Sequence, residues 1–185
     1  MPDLDKTIFG PEAKQLLGKL GFLGAKADLL KLTTDLRKQG YEPQLVALCI
    51  SQAKLRSRAV SKFGLDLAGT MLFTEEGLEQ ATRQQVSAWH AQKFLKSGIK
   101  SVTDLGCGIG GDALAFAQAG LEVTAIEKDE LTANIAKHNL SKYQMASVSH
   151  ADAFDIESES TSFWLDPARR KLSSKAAGRV MLKPE

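Results

Sequence analysis

The sequence predicts an α/β protein in which a helical N-terminal domain, residues 1–70, precedes a parallel-sheet domain, residues 71–185. Three observations predict it. The first part of the chain carries apolar side chains at the spacing of helix faces. From Lys100 the texture changes to short strands alternating with helices, and that alternation at this spacing gives a parallel sheet. A glycine-rich turn, Asp104-Leu105-Gly106-Cys107-Gly108-Ile109-Gly110-Gly111-Asp112, lies between the first strand and the helix that follows it.

The elements follow in order. Pro11 to Leu20 begins Pro-Glu and places Ala13, Leu16, Leu17 and Leu20 on one face. Ala25 to Gln39 repeats the pattern and ends at Gly40, a favourable C-terminal cap. Pro43 opens a longer helix reaching about Phe63, whose second half holds Lys54, Arg56, Arg58 and Lys62 without an acid. Met71-Leu72-Phe73 reads as extended, and Thr74 with Glu75 and Glu76 reads as a helix start. Helix then continues to Lys96 with a break near Thr82, and the junction between the domains falls within 65–97. Strands are expected over 101–105, 122–126, 145–149 and 162–165, with helices over 111–119 and 130–139.

Composition narrows the class. Apolar content of 43% and charged content of 25% are those of a globular chain, and no apolar run approaches the ~20 residues of a membrane span. The N-terminus has neither the basic region nor the apolar core of a secretion signal, and only Cys49 and Cys107 occur, so a cytoplasmic protein with free thiols is expected. His90, His138 and His150 lack metal-ligand spacing, and no metal is expected. Net charge is +4 over residues 1–97, −6 over 98–165 and +4 over 166–185. An acidic middle between basic flanks suits a cationic cofactor with an anionic partner around it.

Read loosely, Gly106, Gly108 and Gly111 fit the dinucleotide pattern G-x-G-x-x-G, and Glu127 supplies an acid for a ribose. The flanking charges decide between ligands. A dinucleotide seats its pyrophosphate at the helix N-terminus, where Asp104 and Asp112 would repel it by roughly 1 kcal/mol each at an effective dielectric near 20 and about 15 Å. S-adenosyl-L-methionine carries a sulfonium and an ammonium and no phosphate, so the same carboxylates attract it.

Asp104 to Asp112 resembles motif I of class I S-adenosylmethionine-dependent methyltransferases, and the likeness covers about residues 70–170. It implies a Rossmann-like methyltransferase sheet, here stopping after the fourth of seven strands. Further implied are Gly106, Gly108 and Gly110 as the backbone that approaches the methionine part, and Asp104 near its amino group. Glu127 would accept the ribose hydroxyls, Lys128 and Asp129 would flank adenine, and Asp152 and Ala153 would meet its amine and ring nitrogen. Cys107, between the glycines, reads as a small packed side chain rather than a nucleophile.

Leu165-Asp166-Pro167-Ala168-Arg169-Arg170 falls at the family's motif IV, whose amino-methylating form is Asp/Asn/Ser-Pro-Pro-aromatic. Asp166 and Pro167 keep its first half; Ala168 and Arg169 depart from the rest, which puts base stacking there in doubt. Enzymes that methylate carbon-5 of uracil carry a similar run but need a later cysteine, and none follows Cys107. The stretch from Phe73 to Thr82, with the Gly110-Gly111 pair, resembles RNA cap guanine-N2 methyltransferases, and by that likeness Thr74 would touch the cofactor; as a helix N-cap it is equally at home. The expected function is therefore methylation of a purine amine in RNA. Basic residues 54–62 and 169–183 would track phosphates, with Trp89 and Trp164 available for stacking although aromatics at such positions more often join the core. A fourth strand left at the edge would need a self-associating copy or a further C-terminal segment to cover it. The competing readings are a cofactor- or RNA-binding fragment without turnover and an NAD-binding oxidoreductase domain.

Overall fold

The computed structural model describes residues 6–156 and 162–166. After a 3-10 turn at Lys6–Phe9 come α1 (Pro11–Leu20), α2 (Leu29–Lys38), α3 (Pro43–Thr70), α4 (Glu75–Gln80) and α5 (Gln84–Lys96). Then follow β1 (Ser101–Leu105), α6 (Gly111–Gln118), β2 (Glu122–Glu127), α7 (Glu130–Leu140), β3 (Ala146–His150) and β4 (Phe163–Trp164). The four strands form one parallel sheet in the order β3-β2-β1-β4, the α/β arrangement expected from the strand–helix alternation. Pro167 and the basic stretch 169–183 lie outside the described residues. Among the described residues no helix is long and apolar enough to cross a membrane.

Local chemistry sets most boundaries. Pro11 and Pro43 open α1 and α3, where the missing N–H costs nothing. Asp28 caps α2 by accepting the Lys31 N–H, so this helix starts four residues later than its apolar pattern suggests. Residue 64 is where α3 departs from expectation. Helix resumes beyond it to Thr70, across a kink at which Gly64 takes φ +74°, a conformation that a residue with a Cβ enters only under strain. Thr74 caps α4 by accepting the Gly77 N–H at 2.9 Å, and Asp129 caps α7 by accepting from Thr132.

One continuous apolar cluster joins α1, α3, the 71–73 segment, the sheet and helices α6 and α7. Within it, Met71-Leu72-Phe73 runs extended and is fully buried, yet belongs to no strand pair. Its backbone polar groups are satisfied by side chains instead, as a buried segment requires. On one flank the Gln52 amide takes both Phe73 groups, donating to Phe73 O at 2.7 Å and accepting from Phe73 N at 3.1 Å. On the other flank Asn139 does the same for Leu72, accepting its N–H at 2.8 Å and donating to its carbonyl at 3.1 Å. Arg56 Nε donates to Met71 O at 3.1 Å. Two amides thus replace the neighbouring strands, and they fix where Thr74 and α4 lie.

Candidate functional site

The glycine turn is shaped by backbone demands. Gly106 (φ +77°), Gly108 (φ +56°) and Gly110 (φ +81°) all sit in the left-handed region, closed to most side chains. Gly106 N–H and Cys107 N–H both donate to Ile126 O at 2.9 Å, tying the turn to the end of β2. A Cβ on Gly106 or Gly108 would meet nothing within 4 Å, so both present bare backbone to open space. Gly110 differs: a Cβ there would reach Ala136 and Leu140 of α7 at 3.5 Å.

Gly77 supports the turn from outside. A Cβ at this position would overlap Ile109 Cγ2 and lie 2.7 Å from Thr74 Oγ1. Gly77→Ala is therefore expected to destabilise the chain by roughly 1–3 kcal/mol, although alanine is the better helix former, because overpacking outweighs propensity. Urea denaturation checks this, and a gain in stability would show that α4 moves aside freely.

A cleft of about 1120 Å³ opens between this turn, α4 and the ends of β1, β2 and β4. Among the described residues seven of its lining side chains are carboxylates and none is basic. Asp104 stands at its floor, 3% exposed. It accepts a hydrogen bond from the Ala113 backbone, while Oδ2 has no partner among the described residues. Burial, then the neighbouring Asp112, push its carboxyl up to about 8, with Asp166 and Glu127 adding to the rise. An acid so placed holds a proton until a cation replaces it.

Asp166 reaches the same cleft after β4, across from the glycine turn. Thr82 joins them: its hydroxyl donates to Asp112 Oδ2 at 3.0 Å, with Asp166 Oδ2 at 3.4 Å. The second oxygen of Asp112 is buried and unpartnered among the described residues. Glu127 closes the far end. Its Oε2 accepts Gly108 N at 3.0 Å and its Oε1 accepts Asp129 N at 2.9 Å, which aims the carboxylate and leaves lone pairs for hydroxyl donors. Thr74 both caps α4 and lines the cleft.

Lys128, Asp152 and Ala153 are placed differently. They lie at the ends of β2 and β3, outside the residues that line the cleft. Lys128 Nζ is 3.9 Å from Asp152 Oδ2, and Asp152 Oδ1 accepts Phe154 N in a local turn. Cys107 does line the cleft, but burial and the nearby Asp104 and Glu127 push its thiol up, which keeps it protonated and poor as a nucleophile.

Three cations of the basic run in α3 are engaged within the chain, while Lys54 is exposed. Arg56 is buried on Met71 O, and Arg58 pairs with Glu75. Lys62 donates to the carbonyls of Leu78, Glu79 and Ala81 at 2.7–2.8 Å, capping the C-terminal end of α4. Arg56 and Lys62 turn this way because α4 and the 71–73 segment offer carbonyls that no helix or strand satisfies. The sequence reading also missed Asn139, whose Nδ2 donates to Ile109 O at 2.8 Å as well as to Leu72 O. The available signal was its position on the apolar stripe Ile135, Ala136, Asn139, Leu140, where a polar residue must serve something buried.

Comparison with known proteins agrees with the motif. Residues 99–169 match the family model described as RNA cap guanine-N2 methyltransferase, so the resemblance read from motif I extends through β1–β4 to Arg169. Residues 7–59 match a family described as a domain of unknown function. No curated protein matches the chain. Among solved structures, the chain is similar to a protein of Pyrococcus horikoshii described as a candidate RNA methyltransferase, at 21% identity and a TM-score of 0.47, over 62% of this chain and 58% of that one. Coclaurine N-methyltransferase bound to N-methylheliamine and S-adenosylhomocysteine is also similar, at 17% identity and a TM-score of 0.37, over 80% of this chain and 51% of that one. The chain thus spans little more than half the length of these proteins.

Proposed function

We propose that this chain carries the donor site of an S-adenosyl-L-methionine-dependent methyltransferase, acting on an exocyclic amine of a purine in RNA. The observation that carries the reading is Asp104, a buried carboxyl whose Oδ2 has no partner among the described residues, on the floor of a cleft whose charged lining among them is acidic. A cation fits there and a pyrophosphate does not. The bare backbone at Gly106 and Gly108 fits the close approach of the donor's amino-acid part, and the Glu127 lone pairs fit two ribose hydroxyls. When bound, the donor supplies a methyl group on a positively charged sulfur that leaves as a neutral thioether.

The reacting end belongs to Asp166, with Pro167 after it. A carboxylate there accepts hydrogen bonds from the target amine and holds its nitrogen in line with the methyl group, an orienting effect rather than a base's. The Thr82 hydroxyl, 3.4 Å from Asp166 Oδ2, supports this placement. The purine and RNA assignment draws on the family description for residues 99–169 and on the amine-accepting carboxylate.

Calorimetry with S-adenosylhomocysteine against NADH tests the donor: NADH bound and the thioether refused would end the methyltransferase reading. Transfer of labelled methyl to total RNA and to total protein tests the substrate, with incorporation only into protein overturning the choice of RNA. Cofactor binding with no transfer to either would favour a binding fragment. Asp166→Ala is expected to lower transfer by roughly 10²-fold while leaving S-adenosylhomocysteine affinity within about twofold, since it orients the acceptor alone.

A further inference from the structure

Arg56 and Lys62 of α3 are committed to backbone carbonyls and Arg58 pairs with Glu75, while the charged groups that line the cleft among the described residues are carboxylates, so a polyanion calls for further cations beside the cleft. Helix α5 offers them. Its sequence QQVSAWHAQKFLK contains no acid, and Lys93 and Lys96 lie in its last turn. Arg83 at its N-cap, Val86, Trp89, Lys93 and Lys96 recur every three or four residues, so they share one side of the helix, and all five are exposed. Trp89 is 55% exposed, unusual for so large a ring, and Lys93 Nζ stands 3.6 Å over its centroid.

The stripe is joined to the cleft at two points. Arg83 directly follows Thr82, the residue between Asp112 and Asp166. Farther along, the rings of Trp89 and His90 are 5.3 Å apart, and His90 stacks 4.6 Å from Trp164, which lines the cleft wall. An exposed aromatic flanked by cations therefore continues into the wall beside the reacting end.

We propose that the outer face of α5 is the path of single-stranded RNA to the cleft, with Trp89 stacking on a base and Arg83, Lys93 and Lys96 contacting phosphates. This rests on the methyltransferase reading and deepens it. Stacking on a π face is sequence-tolerant, and cations interleaved with an aromatic are what single strands require. Carboxylates in the cleft keep the phosphates outside, so that only a neutral base passes the rim.

Fluorescence anisotropy of a labelled 12-nucleotide single-stranded RNA on the whole chain tests this, with S-adenosylhomocysteine calorimetry run on every variant. Trp89→Ala is expected to weaken RNA binding by about fivefold or more, with Trp89→Phe recovering most of it. Lys93→Gln with Lys96→Gln is expected to lower the slope of log K against log salt by roughly 0.7 per lysine. Unchanged affinity and slope in all three variants would overturn the α5 path, as would methyl transfer to protein without any RNA binding. Loss of S-adenosylhomocysteine binding in the unaltered chain would instead overturn the reading beneath it. All three variants lie outside the cleft, so their cofactor affinity is expected to stay unchanged.

Discussion

Asp104→Asn is expected to weaken binding of S-adenosylhomocysteine by roughly 10- to 150-fold, the loss of a hydrogen bond to a charged partner in a buried site. The shape of the cleft should survive, because an amide can still accept from Ala113. Protons make the sharper readout. Asp104 moves from an ordinary 3.8 to about 8 on folding, so between those values the folded chain holds a proton that the unfolded chain has released. Its contribution therefore costs stability progressively as pH rises from about 4 to 8, and no further above 8. A ligand ammonium reverses the preference and expels that proton. Affinity should rise with pH up to about 8 and then level, for the part due to this group. Calorimetry at pH 7 in buffers of different ionisation enthalpy measures the release. An equal proton count in the parent chain and Asp104→Asn would show that the carboxyl does not meet the ligand.

The second large effect is predicted at Asn139. Asn139→Leu keeps the branched shape and removes three hydrogen bonds at once, leaving Leu72 N, Leu72 O and Ile109 O buried without a partner. At about 1–3 kcal/mol for each stranded group, the loss is on the order of 3–9 kcal/mol. For a chain of this length that lowers the melting temperature by about 10 °C or more. Ile109 belongs to the glycine turn, so cofactor affinity should fall as well, unlike in Gly18→Ala, where a Cβ on α1 meets nothing within 4 Å. Differential scanning calorimetry decides the matter: a melting temperature within a degree or two of the parent would mean that water or a shifted backbone replaces the amide.

These two residues differ in how visible they were. The place of Asp104 in the fold could be read from the chain because its context is local: an acid two residues before a glycine turn, with strand before and helix after. The end of β1, helix α6 and the starts of β2 and α7 were legible for the same reason, bounded by glycine or an acidic cap. Asn139, Gln52, Arg56 and Lys62 take their meaning from partners 15–67 residues away, and helical periodicity alone does not say which carbonyls will lie opposite. Within a run of cations that looked like a surface for phosphates, Arg56 and Lys62 serve as caps on carbonyls. Gln52 and Arg56 did carry a warning, since both continue the buried stripe Leu45, Leu48, Cys49 and Ala53 of α3. The kink at Gly64 was equally hidden, because an isolated glycine in a helix looks tolerable until its φ is known.

The pair of amides around residues 71–73 has a consequence for dissecting the molecule. An excised fragment beginning at Met71 would keep Asn139 but lose Gln52 and Arg56, stripping Phe73 N–H, Phe73 O and Met71 O of their donors and acceptors. It would also bare Phe73 on the side where Phe63 now packs, ring centroids 5.8 Å apart. The donor cleft is consequently not a portable cassette: its outer wall is hung from α3, and a graft of the glycine turn into another scaffold would need that helix to come with it.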